Sequence, residues 1–330
     1  ILSTLGTTGH ATIDNTTTAL GVQGTVNGNL ALTSGEAITD SAALIVSGTT
    51  TATTDVADKA ITLNQLASTG NVSLNSSGTS GNAVVNNTTT ALGLAGSTIG
   101  GTLTAETDNS ITVNGTVTSA GTTSVSASDD VIFAAAGALA SGNGNITVTA
   151  DDDNTPAGTG GAITMANGST INSGTGTITL SADEDVALAG LTTTNATANA
   201  VAITSDNGSI TDGGDTNTDI SATNANAVVT LTAKTNIGEL NADNVLVAPT
   251  NALDTAITNI SAVISDAGGD IALDNTTSGV LTLNSVNPDA DGTAALCREP
   301  SPIGKRGNFP CGQRRQDRTM RPVPRLHHGI

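Results

Sequence analysis

Along most of the chain two aliphatic residues flank one small or hydroxyl-bearing residue, and Gly, Asn or Asp then breaks the run. Leu30-Ala31-Leu32, Leu44-Ile45-Val46, Ile61-Thr62-Leu63, Val72-Ser73-Leu74, Ile111-Thr112-Val113, Ile146-Thr147-Val148 and Ile178-Thr179-Leu180 show the form, and Val229-Thr230-Leu231, Ile271-Ala272-Leu273 and Leu281-Thr282-Leu283 carry it on. Residues two apart share one side of an extended chain, so each triplet predicts a short strand with one buried face. From Ile146 the triplets restart at Ile163, Ile178, Val186, Val201 and Ile210. Asn-Gly pairs at 27–28, 114–115, 167–168 and 207–208 suit two-residue hairpin turns, so antiparallel hairpins are the main rival reading. Against them stand the shortness of the strands and the lack of aromatic cross-strand pairs. A parallel β-helix asks less of its side chains: each coil pairs with the next at about 4.8 Å and a narrow interior takes Val, Ile, Leu and Ala.

A self-copy strengthens that reading. Gly9 to Gly21, GHATIDNTTTALG, returns as Gly81 to Gly93, GNAVVNNTTTALG, with nine of thirteen positions identical. Recurrence at a fixed offset is the mark of units that bury their apolar faces on their neighbours. With about 20 to 24 residues per coil, the offset from Gly9 to Gly81 predicts about three coils, and the body about 13 coils and about 60 Å of rod. The expected fold class is all-β, a right-handed parallel β-helix over 1–296 followed by a disordered basic tail over 297–330.

Composition and charge then narrow the chemistry. The chain includes no Trp, no Tyr and two Phe. Before Cys297 the only basic residues are Lys59 and Lys234, set against 27 acidic ones; from Cys297 to the end there are 8 basic and 2 acidic. An acidic body repels nucleic acid and anionic lipid, so no nucleic-acid partner is expected. No run of about 18 apolar residues exists, so no helix in this sequence is expected to span a membrane. Both cysteines, Cys297 and Cys311, lie in the tail, together with five of the eight prolines. Three readings fit that tail: a basic arm for acidic polymers or a Cys/His metal knot, a solvated end, or out-of-frame translation. The simultaneous switch of every composition marker favours the third.

The phrases VVTLTAKTNIG (Val228 to Gly238), NALDTAITNISA (Asn251 to Ala262) and GGDIALDNTTSGVLTLNSV (Gly268 to Val286) resemble the filamentous-haemagglutinin-like, β-strand-repeat surface proteins of bacteria. The resemblance runs over most of 1–296 and rests on rhythm and composition. It implies a β-helical stalk of an exported protein at the bacterial cell surface, associated with the outer membrane, acting in adhesion or coating as a monomeric shaft within a larger chain. Its partner would be a glycan or protein on a host or neighbouring cell. The sequence departs from the pattern in two ways: no export-directing domain is present in it, and Glu239 to Thr250 lengthens one link.

Candidate ligands are acidic. Asp212, Asp215, Asn217 and Asp219 lie in DGGDTNTD, and Asp215, Asn217 and Asp219 have the 1, 3, 5 spacing of a calcium loop without its glycine or closing glutamate. Asn287, Asp289 and Asp291 supply the glycine, at Gly292, but not the closing ligand. The plain alternative is solvated carboxylates at strand ends that discourage edge pairing. Catalysis of the β-helical polysaccharide-lyase kind needs a base near bound carboxylates, and the body offers Lys59, Lys234 and His10, the last aligned with Asn82 in the copy. No catalytic residue and no cofactor are therefore expected. The Thr triplets at 16–18, 88–90 and 192–194 raise a third reading, a flat ice-binding face, although their spacing is irregular.

Overall fold

The computed structural model describes residues 1–330 except 5, 7, 152–159, 215–216, 240–251, 267, 278–279, 289–293, 299–312 and 315–330; of 295–298 and 313–314 it describes the backbone. Among the described residues every regular element is a strand. Among them every strand pair through Arg298 is parallel, and the sole antiparallel contact among the described residues joins Gln313–Arg314 to Ala294 and Ala295. The Asn-Gly hairpins are thereby overturned: Asn27 and Gly28 sit at a corner between successive strands, as do Asn114 and Gly115. Two parallel sheets, here A and B, run along a stack of about twelve coils. At about 4.8 Å per step that gives a rod of about 60 Å.

Each coil joins one straight strand on one sheet to two shorter limbs, set at a bend, on the other. Leu103–Thr107 on sheet A is followed by Ile111–Val113 and Thr116–Ser119 on sheet B, and the next coil begins at Thr123, which lies beside Leu103. Alternate side chains point inward, so straight strands bury three positions and each limb about two. Like residues stack in files. Ile61, Ala83 and Leu103 form one file on sheet A, and Val113, Phe133 and Met165 another on sheet B, all at most 1% exposed. Each fully buried Leu, Ile or Val contributes about 1.5–3 kcal/mol, and the file repeats that gain once per coil.

Glycine supplies the tightest corners, because stacked turns bring main chain onto main chain. A Cβ on Gly144 would stand 2.2 Å from the carbonyl oxygen of Gly121, and one on Gly176 2.1 Å from that of Gly144. Buried hydroxyls close the same corner from inside. Ser119 Oγ donates to the Gly121 carbonyl (2.9 Å), Ser173 Oγ to that of Gly176 (2.7 Å), and Thr193 Oγ1 to that of Gly176 as well (2.7 Å). Coil length varies without disturbing the files, since extra residues leave at corners: Leu103 pairs with Thr123, but Ile146 with Ile178 and Val229 with Ile260, both far longer excursions of chain. The long link at 240–251 lies outside the described residues.

The expected match of the repeat offset to three coils does not hold. Ala11, Leu30, Thr50 and Val72 form one file on sheet B, three coils long. Ala83, the copy of Ala11, lies on sheet A beside Ile61. The offset is three and a half coils. After the straight strand Val72–Asn75 a second straight strand, Ala83–Asn86, follows directly, with no bent pair between them. Sheet A therefore carries bends up to Leu66–Ser68 and straight strands from Ala83–Asn86 to Asn259–Ile264, and sheet B does the reverse until it is straight again at Ile271–Asn275. The composition break at Cys297 also leaves a trace: the ladder carries past it, pairing Cys297 with Asp274 and Arg298 with Asn275. At that end the inside-out pattern weakens, for Leu283 is 50% exposed where its triplet predicts burial.

Candidate functional site

Between Leu103 and Ala233, sheet A turns outward two files of small polar side chains. One runs Thr104, Ser124, Thr147, Thr179, Ala202, Thr230; the other opens with the larger Glu106 and runs Ser126, Thr149, Ser181, Thr204, Thr232. All are partly exposed. Neighbours within a file are one coil apart and the two files are two residues apart along each strand, so the face is a regular grid. The Thr triplets do not belong to it. Thr88 and Thr193 bond into corners, Thr88 Oγ1 to the Leu66 carbonyl (3.1 Å).

The acidic clusters stand at corners too, and their work there is visible. Asp130 Oδ1 accepts from the Ala162 main-chain N–H (3.0 Å) and Asp185 Oδ1 from that of Ser209 (2.7 Å). Asn29, Asn82 and Asn145 take the same part at another corner, accepting from the N–H of Thr49 (3.1 Å), Thr102 (2.8 Å) and Thr177 (3.0 Å). His10 stands in that series: its Nδ1 accepts from the Asn29 N–H at 2.8 Å, as its aligned partner Asn82 accepts from Thr102. A side-chain acceptor one coil below thus satisfies an N–H that the turn has taken out of the ladder.

Of the calcium candidates, Asp215, Asp289 and Asp291 lie outside the described residues. Asp212 ends a strand and accepts the Gly214 N–H (3.0 Å); Asn217 reaches two coils back, its Nδ2 donating to Asn167 Oδ1 (3.3 Å). Asp219 is fully buried and its Oδ2 accepts the Asp254 N–H (2.8 Å). Among the described residues no three His, Cys, Asp or Glu side chains gather closely enough to hold a metal ion. Nor, among them, is any helix long and apolar enough to cross a membrane.

The most built polar site lies where the copied segment crosses from sheet B to sheet A. Asn87, completely buried, lies over Ser68 at the end of a bent pair. The Ser68 N–H donates to Asn87 Oδ1 (2.7 Å) and Asn87 Nδ2 donates to the Ser68 carbonyl (2.9 Å), while Nδ2 also meets the carbonyls of Thr90 (3.0 Å) and Ala91 (2.9 Å). A primary amide has the donor and acceptor of a peptide group, so Asn87 replaces a missing residue in the ladder. On the opposite sheet of the same coil the mismatch is reversed and Ser97 Oγ accepts the Leu74 N–H at 3.0 Å. Sequence reasoning passed over Asn87, although the identity of Asn15 and Asn87 within the copied segment marked it.

The crossing coincides with the gap between two matches to one family model. A family model described as repeats of unknown function (DUF5649) matches residues 8–75 and again residues 80–142. Each match opens just before a straight strand, and the gap between them falls on the crossing. No curated protein and no solved structure matches the chain. The first match spans three and a half coils, from Ala11–Asn15 to Val72–Asn75, and the second spans three, from Ala83–Asn86 to Ala138–Ser141.

Proposed function

We propose that the chain is a non-catalytic shaft segment of an exported bacterial surface protein, a stiff spacer that carries a binding element outward or coats the cell. One observation carries this reading: the parallel ladder and its apolar files continue from coil to coil through insertions and through the repeat boundary, so the feature most faithfully maintained is an unbroken rod. Its polar exterior, in which corner carboxylates and amides hold main-chain groups, supports a role in shape over one in chemistry. Surface proteolysis of intact producing cells, followed with an antibody to this segment, tests it: the epitope is expected to disappear, and an epitope reached only after lysis would refute the surface location. Adhesion is tested separately by binding of the purified chain to glycan and host-protein arrays. No metal enters this reading. Chelation with EDTA should leave the melting temperature unchanged, whereas a fall of more than about 2–3 °C would bring calcium back.

The outward grid on sheet A favours a second reading, binding of an ordered water lattice such as ice. Hydroxyls and methyls at the fixed spacing of a parallel ladder are the chemistry such a surface uses, and a flat face without aromatic rings is poorly suited to stacking on sugars. Thermal hysteresis that is abolished by Thr149→Lys would support it; freezing behaviour equal to that of albumin at the same concentration would end it.

A further inference from the structure

The copied segment occurs a third time. Ile271-Ala272-Leu273-Asp274-Asn275-Thr276-Thr277 repeats the order of Ala11-Thr12-Ile13-Asp14-Asn15-Thr16-Thr17, and the amide joint returns with it. Asn275, 1% exposed, accepts the Ile257 N–H at Oδ1 (3.0 Å) and donates from Nδ2 to the Ile257 carbonyl (3.3 Å). Thr276 Oγ1 donates to the Thr255 carbonyl (3.2 Å), two residues before Ile257, just as Thr88 Oγ1 donates to that of Leu66, two before Ser68. Twice, then, the opening strand of a repeat seats its asparagine on the last residue of a strand one coil below.

In the first copy only the local half of this joint is made. Asn15 Nδ2 donates to the Thr18 carbonyl (2.6 Å) and Thr18 Oγ1 to Asn15 Oδ1 (3.4 Å), which closes the turn. Among the described residues Ala11–Asn15 pairs on one side alone, with Leu30–Ser34, and its other edge is open. Inward-pointing Ala11 and Ile13 are only partly buried there. Residues 2–4 show what such an edge expects. Ser3 pairs with Thr25 as Asn75 pairs with Thr98; the Thr4 N–H donates to the Thr25 carbonyl (3.1 Å) as that of Ser76 does to Thr98 (2.8 Å); and Thr4 Oγ1 accepts the Asn27 N–H (2.8 Å) as Ser76 Oγ accepts that of Gly100 (3.3 Å). The segment before the first copy thus occupies the place of a closing strand of this same repeat.

We infer that the open edge of Ala11–Asn15 is a docking surface for the bent pair of another copy of the repeat, with Asn15 as the residue that joins them. The bent pair at Ile61–Ser68 is the shape that fits, because the joint needs a main-chain N–H and C=O presented together at the end of a limb. Apolar files on both sides would become continuous and the open strand edge would be paired. The inference rests on the stacked fold and is independent of the surface location proposed above.

The test adds that partner to the full chain. A second copy of residues 1–72 fused ahead of Ile1 continues the repeat without a scar, because Ile1 and Leu2 then take the places of Ser73 and Leu74. Hydrogen exchange is expected to show the added copy's Ser68 N–H protected like that of the native Ser68, and Asn15→Ala in the fused chain is expected to remove that protection at least tenfold. In the unfused chain Asn15→Ala should leave exchange beyond residue 18 unchanged. Asn15→Gln, which keeps the amide at the wrong reach, guards against a general folding defect and should give an intermediate loss. An added Ser68 N–H that exchanges as an open edge, or protection that survives Asn15→Ala, would overturn the inference.

Discussion

Residues 11–75 and residues 83–150 are built from the same sequence pattern and place it on opposite sheets. In the first stretch sheet B is straight and sheet A is bent; in the second the roles are exchanged. Straight or bent is therefore a property of position within the repeat and not of the sheet. A parallel ladder needs only that each residue meet a residue at the next level, and the exchange leaves two places where it does not. Asn87 fills one with a side-chain amide and Ser97 the other with a hydroxyl. The rod stays continuous because a mismatch in backbone geometry is repaired at single side chains.

The feature common to both stretches gives the strongest way to break them. Corner glycines stack in each, and Gly144→Val would press a branched side chain onto the Gly121 main chain, so a loss of about 4 kcal/mol is expected in urea denaturation, with Gly70→Val comparable in the earlier stretch. Removing the joint between them comes next. Asn87→Ala leaves the Ser68 N–H and carbonyl buried without the amide, and a loss of about 3 kcal/mol should be accompanied by rapid exchange at Ser68 while residues 123–150 keep their protection.

A smaller effect sharpens the contrast between the two bends. In the first stretch the Asp40 carboxylate accepts the main-chain N–H groups of Asn64 (2.9 Å) and Gln65 (2.7 Å); the corresponding bend of the second stretch, at 114–115, is made by Asn-Gly. Asp40→Ala should destabilise by about 1–2 kcal/mol, read as faster exchange at those two amides. The least effect belongs to the ion pair. Lys59 Nζ lies 2.6 Å from Glu36 Oε2 with both side chains partly exposed, and Lys59→Met should change stability by about 0.5 kcal/mol or less, vanishing at high salt.

Much of the body was legible in advance. Nearly every triplet read as a strand is one, because two aliphatics at i and i+2 must share a face and the interior is a single apolar channel. Among the strands that escaped are second limbs such as Leu66–Ser68, Ser97–Ile99 and Thr116–Ser119, each with one large aliphatic and an inward Ser where the second would be, and straight strands with an inward Thr, such as Thr50–Thr54 and Thr123–Ala127. Their polar inward residue serves a corner carbonyl or a ladder gap, as Ser68, Ser97 and Ser119 do, so the period-two signal is spent on hydrogen bonding. The partners of acidic residues were less legible: Asp130 and Asp185 each accept a main-chain N–H from the neighbouring coil, a contact that no local pattern announces.

Local alternation, glycine spacing and self-similarity were enough to establish strands, stacking and which side chains go inside, since each of these depends on residues within a few positions or on a repeated unit. Which sheet a strand joins is a different matter. Both sheets offer the same apolar interior and the same ladder, so periodicity cannot tell them apart, and the choice depends on how much chain is used in closing each coil. The extra half-coil in the repeat, and the amide that spans it, exist only once the coils lie on one another.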